Sequence, residues 1–358
     1  MKLLGLRLCE HDSNISYFDG TKLHYYKSER DYQVKHHGYN DLVTWRDDIQ
    51  KIFGVKPNDI DDIAIVIDPW QHNFPTDNEE FFPAIDYPLF KPDSRLHYSD
   101  QISDCPVQRI NHHYAHALSC WPVNNSIPDV EVVIDGFGDI NNAWTVFKDN
   151  VVFERGYYKE HGSIGVEMAQ AGKWLNIKYD KWSEYDIAGK LMGLQSYGNH
   201  VEEFAKFLPQ SILRTNGIFD KEKWYRYNNN ELIGALKPLD WIRTVHNHMG
   251  DVLVKFFERI TDNDYNSVIT YSGGVAQNVI WNTKLKNKFP NLIIPPHCND
   301  EGLSLGAIEY LRIKHKLPKF KLDNFPYCQS DVSPEDEATD STIEKTVQLL
   351  KEGKIIGW

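Results

Sequence analysis

The chain has 358 residues, of which 41% are hydrophobic, 13% aromatic and 25% charged, a make-up that belongs to a folded globular protein and excludes collagen-like, low-complexity and disordered classes. Lys and Arg number 39 against 51 Asp and Glu, for a formal net charge of -12 with no basic block, so bulk nucleic acid is not an expected partner. The five cysteines, Cys9, Cys105, Cys120, Cys298 and Cys328, are an odd number at wide spacing without C-x-x-C, and no run approaches the roughly 20 apolar residues of a membrane span. A reducing, cytoplasmic setting with no membrane partner is expected.

From the N-terminus, LLGLRL (Leu3 to Leu8) reads as a buried strand, followed by a polar loop from Glu10 to Asn14, a strand ISYF, a turn DGTK and a strand LHYY. The same order returns at VEVVIDGFGD (Val130 to Asp139), AWTVFK, the turn at Asp149 and Asn150, and VVFERGYY. Each copy runs through candidate helices to a later hydrophobic strand, IAIVID (Ile63 to Asp68) in the first and SVITYSGG (Ser267 to Gly274) in the second. The repeat predicts an α/β protein of two similar lobes, residues 1–125 and 126–320, built as a duplicated ribonuclease-H-like fold. In that arrangement the polar loops after the first strand of each lobe face one another across a cleft and suit a nucleotide's phosphates. Pro69 to Tyr98 is aromatic and Pro-rich without periodicity, either part of an acceptor pocket or an ordered surface loop. Beyond residue 320, STIEKTVQLLKEG spaces Ile343, Val347 and Leu350 as a helix with Gly353 as its C-terminal cap, and KIIGW reads as the opening of a strand ending at Trp358.

Four short motifs carry candidate chemistry. In NHHYAHALSC, Asn111 can cap a helix that sets His112 and His116 on one face, and His113 on another. Two imidazoles one turn apart suit either a divalent metal, with a third ligand from elsewhere, or plain packing. YSGGVAQN (Tyr271 to Asn278) runs a strand through paired glycines into a helix, where backbone N–H groups attract phosphate. IDGFGD (Ile134 to Asp139) is an acidic turn that fits a phosphate, a metal-bound oxygen or ordinary turn chemistry. In CNDEGLSLGA, Asp300 sits where a helix begins, as a ligand or as a cap.

As an ordered set, LGLRLCEHDSN, KSERDYQVKHHG, NHHYAHA, VVIDGFGD, EYDIAGKLMGLQSYG, YSGGVAQN and CNDEGLSLGA resemble the nodulation-protein and cephamycin (NodU/CmcH) type of O-carbamoyltransferase over Met1 to Trp358. The nucleotide-binding part of that family is similar to the TsaD-like transferase that modifies tRNA with threonylcarbamoyl. The resemblance implies two steps. A C-terminal YrdC-like domain makes carbamoyl-adenylate from carbamoyl phosphate and ATP, and the N-terminal domain transfers the carbamoyl group to a hydroxyl of a small-molecule acceptor such as a sugar or an antibiotic. It implies a metal on His112, His116 and Asp300, iron foremost, with zinc or manganese also suited to an N/O ligand set. It places Lys35, Asp135, Gly136, Gly273 and Gly274 at the adenylate with Lys190 and Asn278 as companions, and it puts His11 and Asp12 at the acceptor, with His11 orienting or deprotonating the hydroxyl. It leaves room for a homodimer. The family continues past KIIGW into an Arg-rich stretch and the rest of the YrdC-like domain, so residues 321–358 read as a linker and the start of that domain, in a truncated or excised chain, with adenylate synthesis outside it. Around the glycines the family's GGVALN-like run is SGGVAQN here, and LQSYG stands for an LAPYG-like run. A non-catalytic adenine-nucleotide-binding module and a TsaD-like tRNA transferase are the alternative readings; a net charge of -12 disfavours tRNA, and the histidine pair disfavours a sugar kinase.

Overall fold

A computed structural model of the protein describes residues 1–8, 11–39, 44–66, 107–124, 127–172, 175, 186–205, 208, 236–320 and 339–357. Cys9, Cys105, Cys328, the stretch from Pro69 to Tyr98, and Trp358 lie outside the described residues.

The first lobe is a sheet of β1 (Leu3–Arg7), β2 (Asn14–Phe18), β3 (Leu23–Lys27), β4 (Asp62–Val66) and β5 (Val107–Arg109), in the order β3-β2-β1-β4-β5. β1 to β3 pair antiparallel, and β4 and β5 add in parallel. The second lobe repeats this with β6 (Val130–Ile134), β7 (Asn142–Lys148), β8 (Val151–Tyr157), β9 (Ile269–Ser272) and β10 (Leu292–Ile293), in the order β10-β9-β6-β7-β8. Turn chemistry sets both hairpins. Asp19 accepts from the backbone N–H groups of Thr21 and Lys22 with Gly20 left-handed in the first. Asp149 and Asn150, both at positive φ, close the second in the sense that matches strand twist. Two identical strand orders in one chain establish the duplicated ribonuclease-H-like architecture expected from the sequence.

Short helices α1 (Ser28–Tyr32) and α2 (Trp45–Phe53) flank the first sheet, and α3 (His112–Ser119) runs from it towards the second. The second sheet is covered by α4 (Ile164–Ala171), α5 (Ile187–Leu194) and the long α6 (Pro238–Ile260), with α7 (Val279–Lys288) beside them. Trp144, Trp241, Phe257, Tyr271 and Trp281 fill that core.

Helix α8 (Leu303–Lys314) follows the last strand of the second sheet in sequence yet lies on β1, β2 and β4 of the first and against α3. The span 126–320 expected as one lobe therefore sends its closing helix back to the other. Small residues permit the approach. A Cβ at Gly5 would stand 2.3 Å from the Ser304 carbonyl oxygen, and one at Gly306 would stand 1.9 Å from that of Ala115. Ser16 and Ser304 share a hydroxyl hydrogen bond of 2.8 Å across the same contact.

Helix α9 (Asp340–Lys351) forms where the spacing predicts it, capped by the Thr339 hydroxyl and ended by left-handed Gly353. The strand expected at KIIGW does not form over 354–357, and Ile355 is fully exposed. A strand needs a neighbour to satisfy its ladder, and none reaches it among the described residues. Among the described residues no helix is long and apolar enough to cross a membrane.

Gly306→Ala forces a methyl group into the α3 backbone, so it is expected to cost about 3 kcal/mol as an overpacked contact. Urea unfolding followed by circular dichroism reads the loss, and an unchanged midpoint would contradict the packing of α8 on α3.

Candidate functional site

The N-terminus of α3 is capped twice. Asn111 accepts from the backbone N–H groups of His113 and Tyr114 through its own Oδ1. Its Nδ2 and the backbone N–H of His112 donate to Asp139 Oδ2 at 2.8 and 3.0 Å. Asp139, which the sequence offered as part of a phosphate-lining turn, is in addition paired at 2.7 Å with buried Arg109, so its carboxylate holds the helix in place. His113 faces away from the pair, bonded to Thr145, with its ring against Gly138 where no Cβ would fit.

With α3 so fixed, His112 and His116 present Nε2 to two carboxylates. Asp135, at the end of β6, places Oδ2 at 3.0 Å from His112 Nε2 and 3.3 Å from His116 Nε2. Asp300, just before α8, places Oδ1 at 3.5 and 3.3 Å from the same atoms. All four groups are buried, and their ligand atoms lie within 4.8 Å of one another. Burial alone would raise both carboxyl pKa values. For Asp135 the bonds from His112 and His116 outweigh it, and for Asp300 the charges of His112 and Arg7 do, so both lie below the ordinary carboxylate range. Burial lowers and the two carboxylates raise His112, with a net rise to about 10.

The donor set fits a divalent transition metal. Two imidazole nitrogens and two carboxylate oxygens suit iron, manganese or zinc better than calcium. Ligands about 2.1 Å from one ion stand about 3.0 Å apart at right angles and about 3.4 Å apart in a tetrahedron, and the observed nitrogen-to-oxygen separations run from 3.0 to 3.5 Å. An ion would take the place of the proton that the two carboxylates hold on His112, and the carboxylates together with the Arg7 guanidinium, 2.7 Å from Asp300 Oδ2, would then face it with one net negative charge.

The glycine loops converge on the same carboxylate. Asp135 Oδ1 accepts from the backbone N–H groups of Gly136 at 2.7 Å and Gly274 at 3.1 Å. Gly273 is left-handed at φ 94°, and a Cβ there would stand 2.2 Å from the Ile134 carbonyl oxygen. Asn278 caps α7 through Trp281 N and lies 3.0 Å from His246 Nε2, so its amide serves the fold. Lys190 is exposed on α5 one turn after Asp186.

Next to this group lies a second, polar one. His11 Nδ1 is 3.0 Å from Asp12 Oδ2, and His36 Nδ1 is 2.9 Å from Asp12 Oδ1. Burial would raise Asp12, but the two imidazoles bring it down to about 2. Lys35 Nζ reaches both oxygens of Asp186 at 2.7 Å. Asn14 joins the two groups, with Nδ2 donating to the carbonyl oxygens of Asp12 and Asp300 and Oδ1 accepting from Ser304 N. Glu29 and Glu301 close on Lys27, 3.1 and 2.5 Å from its Nζ, so that acidic pocket carries its own cation.

His112, His116, Asp300, Asp135, Gly136, Gly273 and Gly274 are thus brought together, and His11, Asp12 and Lys35 form the neighbouring group. Asp135, the second carboxylate of the histidine site and expected at the adenylate, is a ligand candidate that spacing does not reveal. Spacing gives no sign of Arg7, Asn14, His36 or Asp186. Arg7 left one trace, a charge inside the apolar run LLGLRL, which requires a buried partner.

A family model described as Carbamoyltransferase N-terminus matches residues 93–308, more than half of the chain. The chain belongs to this family. Of the curated relatives, nodulation protein NolO of Bradyrhizobium diazoefficiens is 26% identical over 289 residues, 70% of this chain and 50% of its own length. Nodulation protein NolNO of Sinorhizobium fredii is 24% identical over 298 residues, 73% of this chain and 42% of its own. The chain spans about half the length of the curated relatives it matches. Of solved structures, full-length HypF in the phosphate- and nucleotide-bound form matches with a TM-score of 0.50 and 14% identity, over 88% of this chain and 47% of that one, a likeness of fold.

Arg109→Met leaves Asp139 buried without its guanidinium, and breaking such a pair is expected to cost about 3 kcal/mol. Chemical denaturation measures it, and a change within about 0.5 kcal/mol would mean that Asp139 does not depend on the pair.

Proposed function

We propose that this chain carries the transfer half of a carbamoyltransferase, moving a carbamoyl group from carbamoyl-adenylate to a hydroxyl of a small-molecule acceptor. Membership in the carbamoyltransferase N-terminal family supports the reaction class. The observation that carries the reading is the joining of two groups through one amide, the His112, His116, Asp135 and Asp300 cluster and the His11 and Asp12 loop, tied by Asn14.

His112, His116, Asp135 and Asp300 would hold a divalent metal, iron by family resemblance, with zinc or manganese also compatible with the donors. Bound there, such an ion supplies Lewis-acid stabilisation of negative charge on phosphate oxygens. The adenylate lies between the lobes, where Gly136 leaves the backbone open to it, Gly273 and Gly274 shape the turn that holds Asp135, and Lys35 and Lys190 supply positive charge. His11 acts as the base. The Nδ1–H bond to Asp12 fixes the ring's orientation for taking the hydroxyl proton. The acceptor oxygen bonds to the carbamoyl carbon, the bond from that carbon to the phosphate oxygen breaks, and AMP leaves. Carbamoyl phosphate and ATP enter the reaction upstream, where the adenylate is made.

Metal analysis and calorimetric titration with ATP on wild type and on His112→Ala/His116→Ala test the site. About one ion per chain in wild type and none in the variant is expected, with weaker nucleotide binding in the variant. Unchanged metal content would overturn the ligand assignment, and nucleotide binding without any metal in wild type would favour a binding module. With carbamoyl-adenylate supplied, His11→Ala is expected to slow transfer about 100-fold or more, and an unaltered rate would remove His11 as the base.

A further inference from the structure

His36 is held on both sides by carboxylates. Its Nδ1 is 2.9 Å from Asp12 Oδ1 in its own lobe, and its Nε2 is 3.2 Å from Asp186 Oδ1, on the residue that starts α5 of the other lobe. A carboxylate only accepts, so both ring nitrogens must carry hydrogen and the ring is an imidazolium. The adjacent Lys35 takes hold of the same Asp186 through both oxygens. Two consecutive cations from one lobe therefore grip a single anion from the other, and the helix that begins at Asp186 is anchored in the second core through Ile187 and Leu191.

The backbone is bent to serve this contact. Asp12 at φ 54° and His36 at φ 56° are both left-handed without being glycine, an arrangement that persists only when its surroundings over-determine it. They do so here. Ser13 N donates to His37 O, Tyr39 N donates to Ser13 Oγ, and His36 N donates to Glu29 Oε2.

We propose that Lys35, His36 and Asp186 form a clasp across the cleft, and that His36 is a positioning residue through which lobe closure orients His11 by way of Asp12. The idea rests on the assignment of His11 as the base. Asp12 shares its two oxygens between His36 and His11, so a His36 deprived of Asp186 loses the partner that fixes its ring and keeps the nearer oxygen of Asp12 in place. An open cleft then holds a misoriented base, and the acyl donor is spared attack by water until the lobes meet.

The charges that face the ring are Asp12, with His11 beyond it, on the loop after β1, Glu29 on α1, Lys35 and His37 on its own loop, and Asp186 from the second lobe. The Asp12 bond raises the ring's pKa, burial opposes it, and Asp186 adds to the rise, with a net value of about 9 against an ordinary 6.5. Relative to the unfolded chain the folded value is the higher one, so the stability the charged ring contributes is complete below 6.5 and is lost as pH rises through about 9, and the ring's grip on Asp186 goes with its proton.

Long-range proton–nitrogen NMR spectra of the imidazoles in the whole chain, with His11 and His36 assigned by His→Gln variants, test the clasp without metal, nucleotide or turnover. Asp186→Asn, isosteric and partly exposed, is expected to lower the His36 pKa by about one unit or more and to shift the His11 tautomer signals. Lys35→Met, at a mostly exposed side chain, is expected to raise the His36 pKa, because Asp186 then answers to the ring alone. A His36 titration unmoved in both variants, or His11 signals unmoved in His36→Gln, would overturn the clasp. If the spectra respond as expected while His11→Ala leaves transfer intact, the clasp stands and the base assignment falls.

Discussion

Two carboxylates buried side by side set the terms for the rest of this molecule. Asp135 and Asp300 have left water at the junction of the lobes, and either one unpartnered would give up its charge or destabilise the fold. Their oxygens are accounted for one by one: Asp300 Oδ2 by Arg7, Asp135 Oδ1 by the Gly136 and Gly274 amides, and the remaining two by the His112 and His116 imidazoles. Each of these partners constrains something larger. An arginine must stand in the central strand of the first sheet, the chain must turn left-handed at Gly273, and α3 must present one face at a fixed height, which the Asp139 cap secures. The return of α8 to the first sheet follows from the same demand, because Asp300 must arrive beside α3 and Gly306 lets the helix behind it pack there.

What the sequence made legible is what is encoded locally. The duplicated strand order shows in alternating hydrophobic runs and turn residues such as Asp149 and Asn150, and the histidine pair shows in its helical spacing. The motif at Asp300 could be read as a helix start, with its partner left open. Hidden were the relationships made between distant segments. Asp135 and Asp300 are 165 positions apart in the numbering, and no period or spacing connects them. Asn14 resembles any polar loop residue until its amide is seen to touch both Asp12 and Asp300. Helix α8 could not be assigned to the first sheet, since proximity in sequence favours the second. The strand expected at KIIGW failed for the related reason that a strand is a property of two segments, and the apolar run Ile355–Ile356 describes only one.

The duplication is symmetric in topology and asymmetric in chemistry. The loop after β1 carries His11 and Asp12, with Asp12 stabilised as an anion by the His11 and His36 imidazoles. The equivalent loop after β6 carries Asp135 and two glycines, whose N–H groups are taken by Asp135 Oδ1 and the Asn142 carbonyl, and it places Asp135 Oδ2 beside the histidine pair. One copy thus places a carboxylate between two imidazoles of its own lobe, and the other a carboxylate whose oxygens are committed to Gly136, Gly274 and the histidine pair.

In the proposed transfer, that division puts weight on the coupling between the lobes. A base that deprotonates a hydroxyl is useful only if the electrophile is already held where charge on its phosphate is compensated, and a base aligned too early exposes the acyl donor to water. Asn14 links the two loops rigidly through main-chain carbonyls that do not move with protonation, so it sets their spacing. His36 and Asp186 link the lobes through charges, which can form and break. The first provides geometry and the second provides timing. A fold built from two sheets offers both kinds of link at the junction of its lobes, where Asn14 touches Asp12 and Asp300 and His36 touches Asp186.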